Sequence, residues 1–190
     1  RQLLMKGELE NGKLKTVRFG GFYRPENEAS PLDIIAHLEH TDLAFINAFI
    51  NEGITDINGQ ISGNVTVTGT FDHPELNGSA RFENTSVHID YLNTTYYLQE
   101  EAGIYPDMFT LDGIKITDQL GNRASLVGTI LHENFRKWNY DVYLEMLNQP
   151  FLAINTSASD NDMYYGKVVC TGYINVSGYA DQLDISVNIK

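Results

Sequence analysis

Five histidines, at 37, 40, 73, 88 and 132, are the first residues to test for chemistry. His37 and His40 stand three apart, a spacing that suits a metal on a helix. They straddle the end of an expected strand, so no metal is expected there. Glu100 and Glu101 are neighbours, expected in a loop and facing water. Adjacency in sequence does not converge two carboxylates for acid–base work. Cys170, in "GKVVCTGYINV", shares parity with Val168, Ile174 and Val176 and reads as a buried small hydrophobe rather than a reactive thiol. As the only cysteine it can form no disulfide within the chain. No GxSxG, HExxH, Walker or GxGxxG pattern occurs. Six Asn-x-Ser/Thr triplets begin at Asn64, Asn77, Asn84, Asn93, Asn155 and Asn175. They are glycan acceptors if the protein is a eukaryotic secreted one, but a solvent face built of Asn, Ser and Thr generates them by chance, which is the favoured reading. The expectation is a protein that is not an enzyme and uses no metal or cofactor.

Composition narrows the partners. The chain has 190 residues, of which 42% are hydrophobic and 20% charged, the balance of a folded chain. Its 13 basic residues face 25 acidic ones, for a net charge of −12. That field repels a phosphate backbone, and no basic cluster offsets it, so nucleic acid is not an expected partner. No signal peptide is visible, and no apolar run approaches the roughly 20 residues of a membrane-spanning helix. The sequence opens on Arg1, and its last strand pattern runs into Lys190. Residues 1–190 therefore read as a single fragment of a longer protein, cut at both ends. Eleven tyrosines and one tryptophan raise the possibility of sugar stacking. However, Tyr96-Tyr97 and Tyr164-Tyr165 point in pairs to opposite faces of a strand, where a stacking platform wants one face.

The elements that position these residues are strands. Period-two alternation dominates the chain, as in strands with one buried and one wet face. Leu32, Ile34, Ala36 and Leu38 alternate in this way, as do Ala80 with Phe82, and Val87, Ile89 and Tyr91. The pattern continues through Ala124, Leu126, Gly128 and Ile130, and is longest from Trp138 through Tyr140, Val142 and Leu144 to Met146. Leu183, Ile185, Val187 and Ile189 close it. Asn11-Gly12 predicts a two-residue hairpin turn, and "DQLGNR" (118–123) another turn. Gly63, Gly69, Gly128, Gly172 and Gly178, isolated within strands, read as sites of bulges, bends or close backbone approach. One segment, "HTDLAFINAFINEG" (40–53), has helical spacing and predicts a short helix near 42–50, with Thr41 or Asp42 as its cap. That helix either plugs one end of the β core or faces lipid or a partner. About a dozen strands and one helix predict an all-β antiparallel fold.

"GNVTVTGTFD" returns later as "GYINVSGYAD", with Gly63, Val65, Val67, Gly69 and Asp72 matched by Gly172, Ile174, Val176, Gly178 and Asp181. From about residue 40 to 190 the succession of such segments resembles the C-terminal domain of the TamB family, the translocation and assembly module of Gram-negative bacteria. "DLAFINAFI" leading into "ITDINGQISGNVTVTGTFDHPELNG" carries the likeness. "SARFENTSVHIDYLNTTYYL", "DQLGNRASLVGTILHENFRKWNYDVYLEM" and "FLAINTSASDNDMYYGKVVCTGYINVSG" follow in the family's order.

The resemblance implies a β-taco, an elongated antiparallel sheet curled into an open half-pipe with an apolar concave face. It also implies kinship with AsmA-like, bridge-shaped lipid-transfer proteins. The implied setting is the periplasm, anchored to the inner membrane by a segment outside this sequence. The implied role is lipid transfer to the outer membrane, or protein assembly and secretion there, with a TamA-type outer-membrane barrel as partner. The guest is then phospholipid acyl chains or an unfolded outer-membrane strand. On this reading the groove is lined by Val65, Val67, Phe71, Phe82, Val87, Ile89, Leu126, Ile130, Trp138, Tyr140, Val142, Leu144, Ile174, Val176, Ile185 and Val187. A non-catalytic carbohydrate- or protein-binding β-sandwich is the alternative. A transmembrane barrel fragment stands third and requires aromatic girdles that the sequence does not display.

Overall fold

Among the described residues the alternating stretches form eleven strands in one antiparallel sheet, in which spatial order equals chain order. The structure, a computed structural model, describes residues 1–11, 14–44, 54–160 and 165–190. In order the strands are β1 (Leu3–Asn11), β2 (Leu14–Tyr23), β3 (Leu32–Asp42), β4 (Ile54–Gly69), β5 (Pro74–Ile89) and β6 (Thr94–Tyr105). Then come β7 (Met108–Thr117), β8 (Arg123–Glu133), β9 (Arg136–Thr156), β10 (Gly166–Tyr179) and β11 (Gln182–Ile189). A 3-10 turn, Asp90–Leu92, joins β5 to β6. Asn11 pairs with Leu14, so the two residues joining β1 to β2 are Gly12 and Lys13, one position later than the expected Asn11-Gly12 turn; both lie outside the described residues. The expected helix near 42–50 falls largely on 45–53, also outside them. At its start, Asp42 Oδ1 accepts the backbone N–H of Ala44 at 2.8 Å.

The sheet curls toward one face. Neighbouring strands stand ~4.8 Å apart, so a flat sheet holds β6 and β9 about 14 Å apart. Yet the rings of Tyr96 on β6 and Phe151 on β9 stack at a centroid distance of 5.4 Å. At the opposite end, Asn134 Nδ2, in the β8–β9 turn, donates to the carbonyl of Asp72, in the β4–β5 turn, at 2.9 Å. Asn93 Nδ2 similarly reaches Asp160 Oδ2 at 3.0 Å, tying the β5–β6 connection to the one after β9. The segment from β5 to β9 is thus bent over its own inner face, and β1 and β11 are the outermost strands of the described sheet. The fold is an all-β half-pipe.

Bulges and glycines make this bend. Register slips occur in most strand pairs, for example between Phe82 and Thr85 and between Asp112 and Ile114. Asn84 (φ 48°) and Gly113 (φ 74°) stand within these slips, and a bulge bends its strand and adds twist. Gly128 shows why a side chain is excluded. With φ +145°, a Cβ there would meet the Asp141 carbonyl oxygen at 2.1 Å. Glu100 and Glu101 also belong to this pattern. Contrary to the expected loop, they lie within β6, and Glu100 (φ 89°) sits at a bulge. Its carboxylate pairs with Lys115 on β7 and lies 3.9 Å from Arg81 on β5.

Candidate apolar groove

Strand register converts the alternation into continuous ranks. Directly opposed residues share a face. One rank therefore runs across all eleven strands: Gly7, Phe19, Ala36, Val65, Gly78, Ile104, Phe109, Ile130, Tyr140, Gly178 and Leu183. Two residues along each strand lies a second: Leu9, Val17, Leu38, Gly63, Ala80, Ala102, Leu111, Gly128, Val142, Val176 and Ile185. Neither contains a charged residue. Between them, on the other face, runs Glu8, Arg18, His37, Asn64, Ser79, Gly103, Thr110, Thr129, Asp141, Ser177 and Asp184, with no large apolar side chain. Ten strand spacings make each rank roughly 48 Å long.

The apolar face is not uniformly open. From β6 to β10 it is filled by the protein's own side chains: Tyr96, Ala102, Ile114, Ile116, Ala124, Met146, Phe151, Ala153 and Cys170 form a buried cluster. Ile114, Ala124 and Phe151 are completely enclosed. The Tyr96 hydroxyl donates to the carbonyls of Leu152 and Ala153 at 3.2 and 3.3 Å, and burial pushes its pKa up. Cys170 lies against Met146, sulfur to sulfur 3.7 Å, and burial pushes its thiol up as well. Beyond this fill the face opens: Ile185 is 64% and Val187 51% exposed on β11, and Leu9 59% on β1.

Among the expected lining residues, Val65, Val67, Phe82, Val87 and Ile89 fall on the apolar face of β4 and β5 by register. Leu126, Ile130, Tyr140, Val142 and Leu144 fall there on β8 and β9, and Ile174, Val176, Ile185 and Val187 on β10 and β11. Their surroundings differ. Phe82, Ile89, Leu126, Leu144 and Ile174 pack against the buried cluster, whereas Ile185 and Val187 stand open. Trp138 joins Phe109 and His132 in an aromatic group at the end of β8 and β9. A depression of about 710 Å³ at the same end is not part of the apolar lining: Lys137, Tyr179, Asp181 and Asp184 bound it together with Trp138 and Gly178. Phe71 is the departure. β4 ends at Gly69, and Thr70 and His73 close the turn through Thr70 N–H to the His73 carbonyl, 3.1 Å. Phe71 therefore stands in a turn at the rim, 65% exposed, its ring 5.5 Å from Tyr23.

Two buried polar residues to which the sequence reading assigned no role also shape this face. Asp118 is 2% exposed. Its carboxylate accepts the N–H of Leu152 (2.7 Å), Leu120 (2.8 Å) and Asn122 (2.8 Å) and the Asn122 side-chain amide (3.1 Å). Burial works to raise its pKa, but these donors outweigh it and hold the group below the usual aspartate value. His132, 4% exposed, accepts the N–H of Phe135 on Nδ1 at 3.2 Å. The signal for the first was an acidic residue opening a turn before a strand. No signal distinguished His132 from the other histidines.

His37 and His40 do not share a ligand. His37 Nδ1 pairs with Asn64 Oδ1 at 2.6 Å and His40 Nδ1 with Glu83 Oε2. Among the described residues no group of three or more His, Cys, Asp or Glu side chains is placed to hold a metal, and no helix is long and apolar enough to cross a membrane. Comparison with family models, curated proteins and solved structures finds no match to the chain.

Proposed function

We propose that the chain is a non-catalytic module whose apolar face receives acyl chains of phospholipid. The supporting observation is the pair of uninterrupted eleven-strand apolar ranks, with the polar rank confined to the other face. A β domain that only needs a core can bury a short apolar patch. Here the face continues past the buried cluster onto β11, where Ile185 and Val187 remain open. Exposed apolar surface of that extent marks an interaction site. The TamB resemblance adds the setting: an envelope protein, anchored in the inner membrane, that delivers lipid toward the outer membrane with a TamA-type barrel as partner. An unfolded outer-membrane strand is the other guest such a face accommodates.

The buried cluster between Tyr96 and Phe151 favours a second reading, a protein- or carbohydrate-binding β domain with an ordinary dry core. Parity separates the two, because adjacent strand residues face opposite sides. A photo-crosslinking residue at Val67, Val142 or Val176 captures lipid in cells on the first reading, and one at Thr66, Asp141 or Ser177 does not. Equal capture at both sets, or capture at neither, removes the lipid reading and leaves the binding domain.

A further inference from the structure

At one mouth of the half-pipe a strained turn is held shut by a buried histidine. Glu133 on β8 pairs with Arg136 on β9, which leaves Asn134 and Phe135 as the two central residues of the hairpin. Both have positive φ, 49° and 58°, the arrangement of a type I′ turn. Asparagine tolerates that region, and glycine ordinarily takes the second place; a bulky phenylalanine there is an outlier. Its neighbours over-determine it. The Phe135 ring stacks on His132 at 4.5 Å, and its N–H donates to His132 Nδ1 at 3.2 Å. Phe109 and Trp138 close around the imidazole at 5.3 and 5.1 Å. The same turn carries Asn134, whose side chain crosses the groove to the Asp72 carbonyl.

We propose that His132 is an acid-sensitive latch: protonation of Nδ1 removes the acceptor that holds Phe135, the turn relaxes, and Asn134 leaves Asp72, opening this mouth of the half-pipe. An imidazole that accepts a hydrogen bond on Nδ1 carries its proton on Nε2 and is neutral. A proton added at Nδ1 turns acceptor into donor, facing a backbone N–H. The charge then sits among three aromatic rings with 4% of the residue exposed. Of the charged groups around it, Asp107, on the β6–β7 turn, is attractive and partly opposes the burial that lowers the His132 pKa. Glu133 and Lys137 on its own hairpin pair with each other. Arg136, and Asp72 and His73 on the facing turn, are exposed. The sign follows: the neutral form is held in the folded state, so the latch is closed at neutral pH and fails as the pH falls below the ordinary histidine value of 6.5. This latch does not depend on which guest the groove receives.

Trp138 is the chain's only tryptophan, so its fluorescence reports this site alone. The test titrates the intact protein from about pH 8 to about pH 4.5. It follows Trp138 emission, the distance between spin labels on His73→Cys and Glu133→Cys, and sheet content by circular dichroism. Buried Cys170 is replaced by serine in the labelled protein. The expected result is a red shift of emission and a lengthened label distance with one midpoint below 6.5, at constant sheet content. In Phe135→Gly, which relieves the turn without His132, the labels stay close through the same range. Emission and distance that do not change overturn the proposal. So does lengthening that persists in Phe135→Gly, which marks general acid unfolding instead.

Discussion

Tyr96 on β6 and Phe151 on β9 lie ring upon ring, 5.4 Å between centroids and 11° from parallel, though two strands separate theirs in the sheet. The contact crosses the concave face and decides how much of it remains for a guest. Phe151, Leu152 and Ala153 are buried in succession, so both faces of this part of β9 are covered. The Tyr96 hydroxyl fastens it by donating to two of its carbonyls.

Removing that fastening separates packing from polarity. Tyr96→Phe keeps the ring and drops the hydroxyl, and an expected loss of about 1 kcal/mol follows from one hydrogen bond shared by two acceptors. Phe151→Ala is expected to cost ~3–5 kcal/mol, because it removes an enclosed ring and leaves a cavity. Urea unfolding of the two variants measures both. A Tyr96→Phe loss as large as that of Phe151→Ala contradicts a packing-dominated closure.

Asp118 makes a different prediction, on pH. Its folded-state pKa is depressed by donors from Leu152, Asn122 and Leu120 that outweigh its burial. The unfolded chain therefore binds the proton more readily. The stability that Asp118 contributes is complete above the ordinary aspartate value of 3.8 and is lost as pH falls through the lower folded value. Asp118→Ala leaves several buried N–H groups without their acceptor and is expected to cost about 3 kcal/mol at neutral pH. The variant's stability should then be flatter than the parent's below about pH 4. Chemical denaturation at a series of pH values checks the slope.

The strands were legible because the alternation is nearly unbroken from Leu32 to Ile189, and register then follows from which parity is apolar. Bulges hid the rest. They are set by single residues: Gly113 is an isolated strand glycine of the kind that marks a bulge, whereas Asn84 carries no signal distinct from an ordinary surface residue. The closure by β9 was written in the consecutive apolar run Phe151, Leu152, Ala153, Ile154, the pattern of a strand covered on both faces. The stronger alternation upstream, through Val142 and Leu144, masks that run. Asp118 opened what reads as an exposed turn. Only tertiary contact with Leu152, thirty-four residues on, makes it a buried acceptor.

Glycines test the curl itself. Gly128→Ala forces a methyl group into the Asp141 carbonyl, 2.1 Å away, at φ +145°. An expected loss of more than ~2 kcal/mol follows from strain and a displaced strand. Gly20, on the polar face, has no heavy atom within 4 Å of its would-be Cβ and no positive φ. There alanine restricts only the unfolded chain, and a gain of about 0.5 kcal/mol is expected. Thermal unfolding of both variants, with opposite signs, is the measurement; equal effects mean that the glycines are not what permits the close approach.

The outer side of β11 in the described sheet carries the last prediction. Within the described sheet β11 has a neighbour only in β10, so one side of its backbone has no strand partner. Its apolar-face residues are all exposed: Leu183 44%, Ile185 64%, Val187 51% and Ile189 41%. Natural edges are blunted by proline, by an inward-facing charge or by a covering segment. β11 has no proline, and its one charged residue, Asp184, faces the polar side opposite Ser177. β1 carries three charged residues, Lys6, Glu8 and Glu10, but these too face the polar side. The protein should therefore associate as its concentration rises, with β11 as the contact. Val187→Lys places a charge on the apolar face of this edge, where a second strand would have to bury it, and should shift association to at least tenfold higher concentration, equivalent to about 1.4 kcal/mol. Ser186→Lys, one residue away on the polar face, should shift it much less. Sedimentation velocity over a concentration series reads both variants. A parent protein that stays monomeric throughout, or two lysine variants that behave alike, would show that the apolar edge is not the adhesive surface.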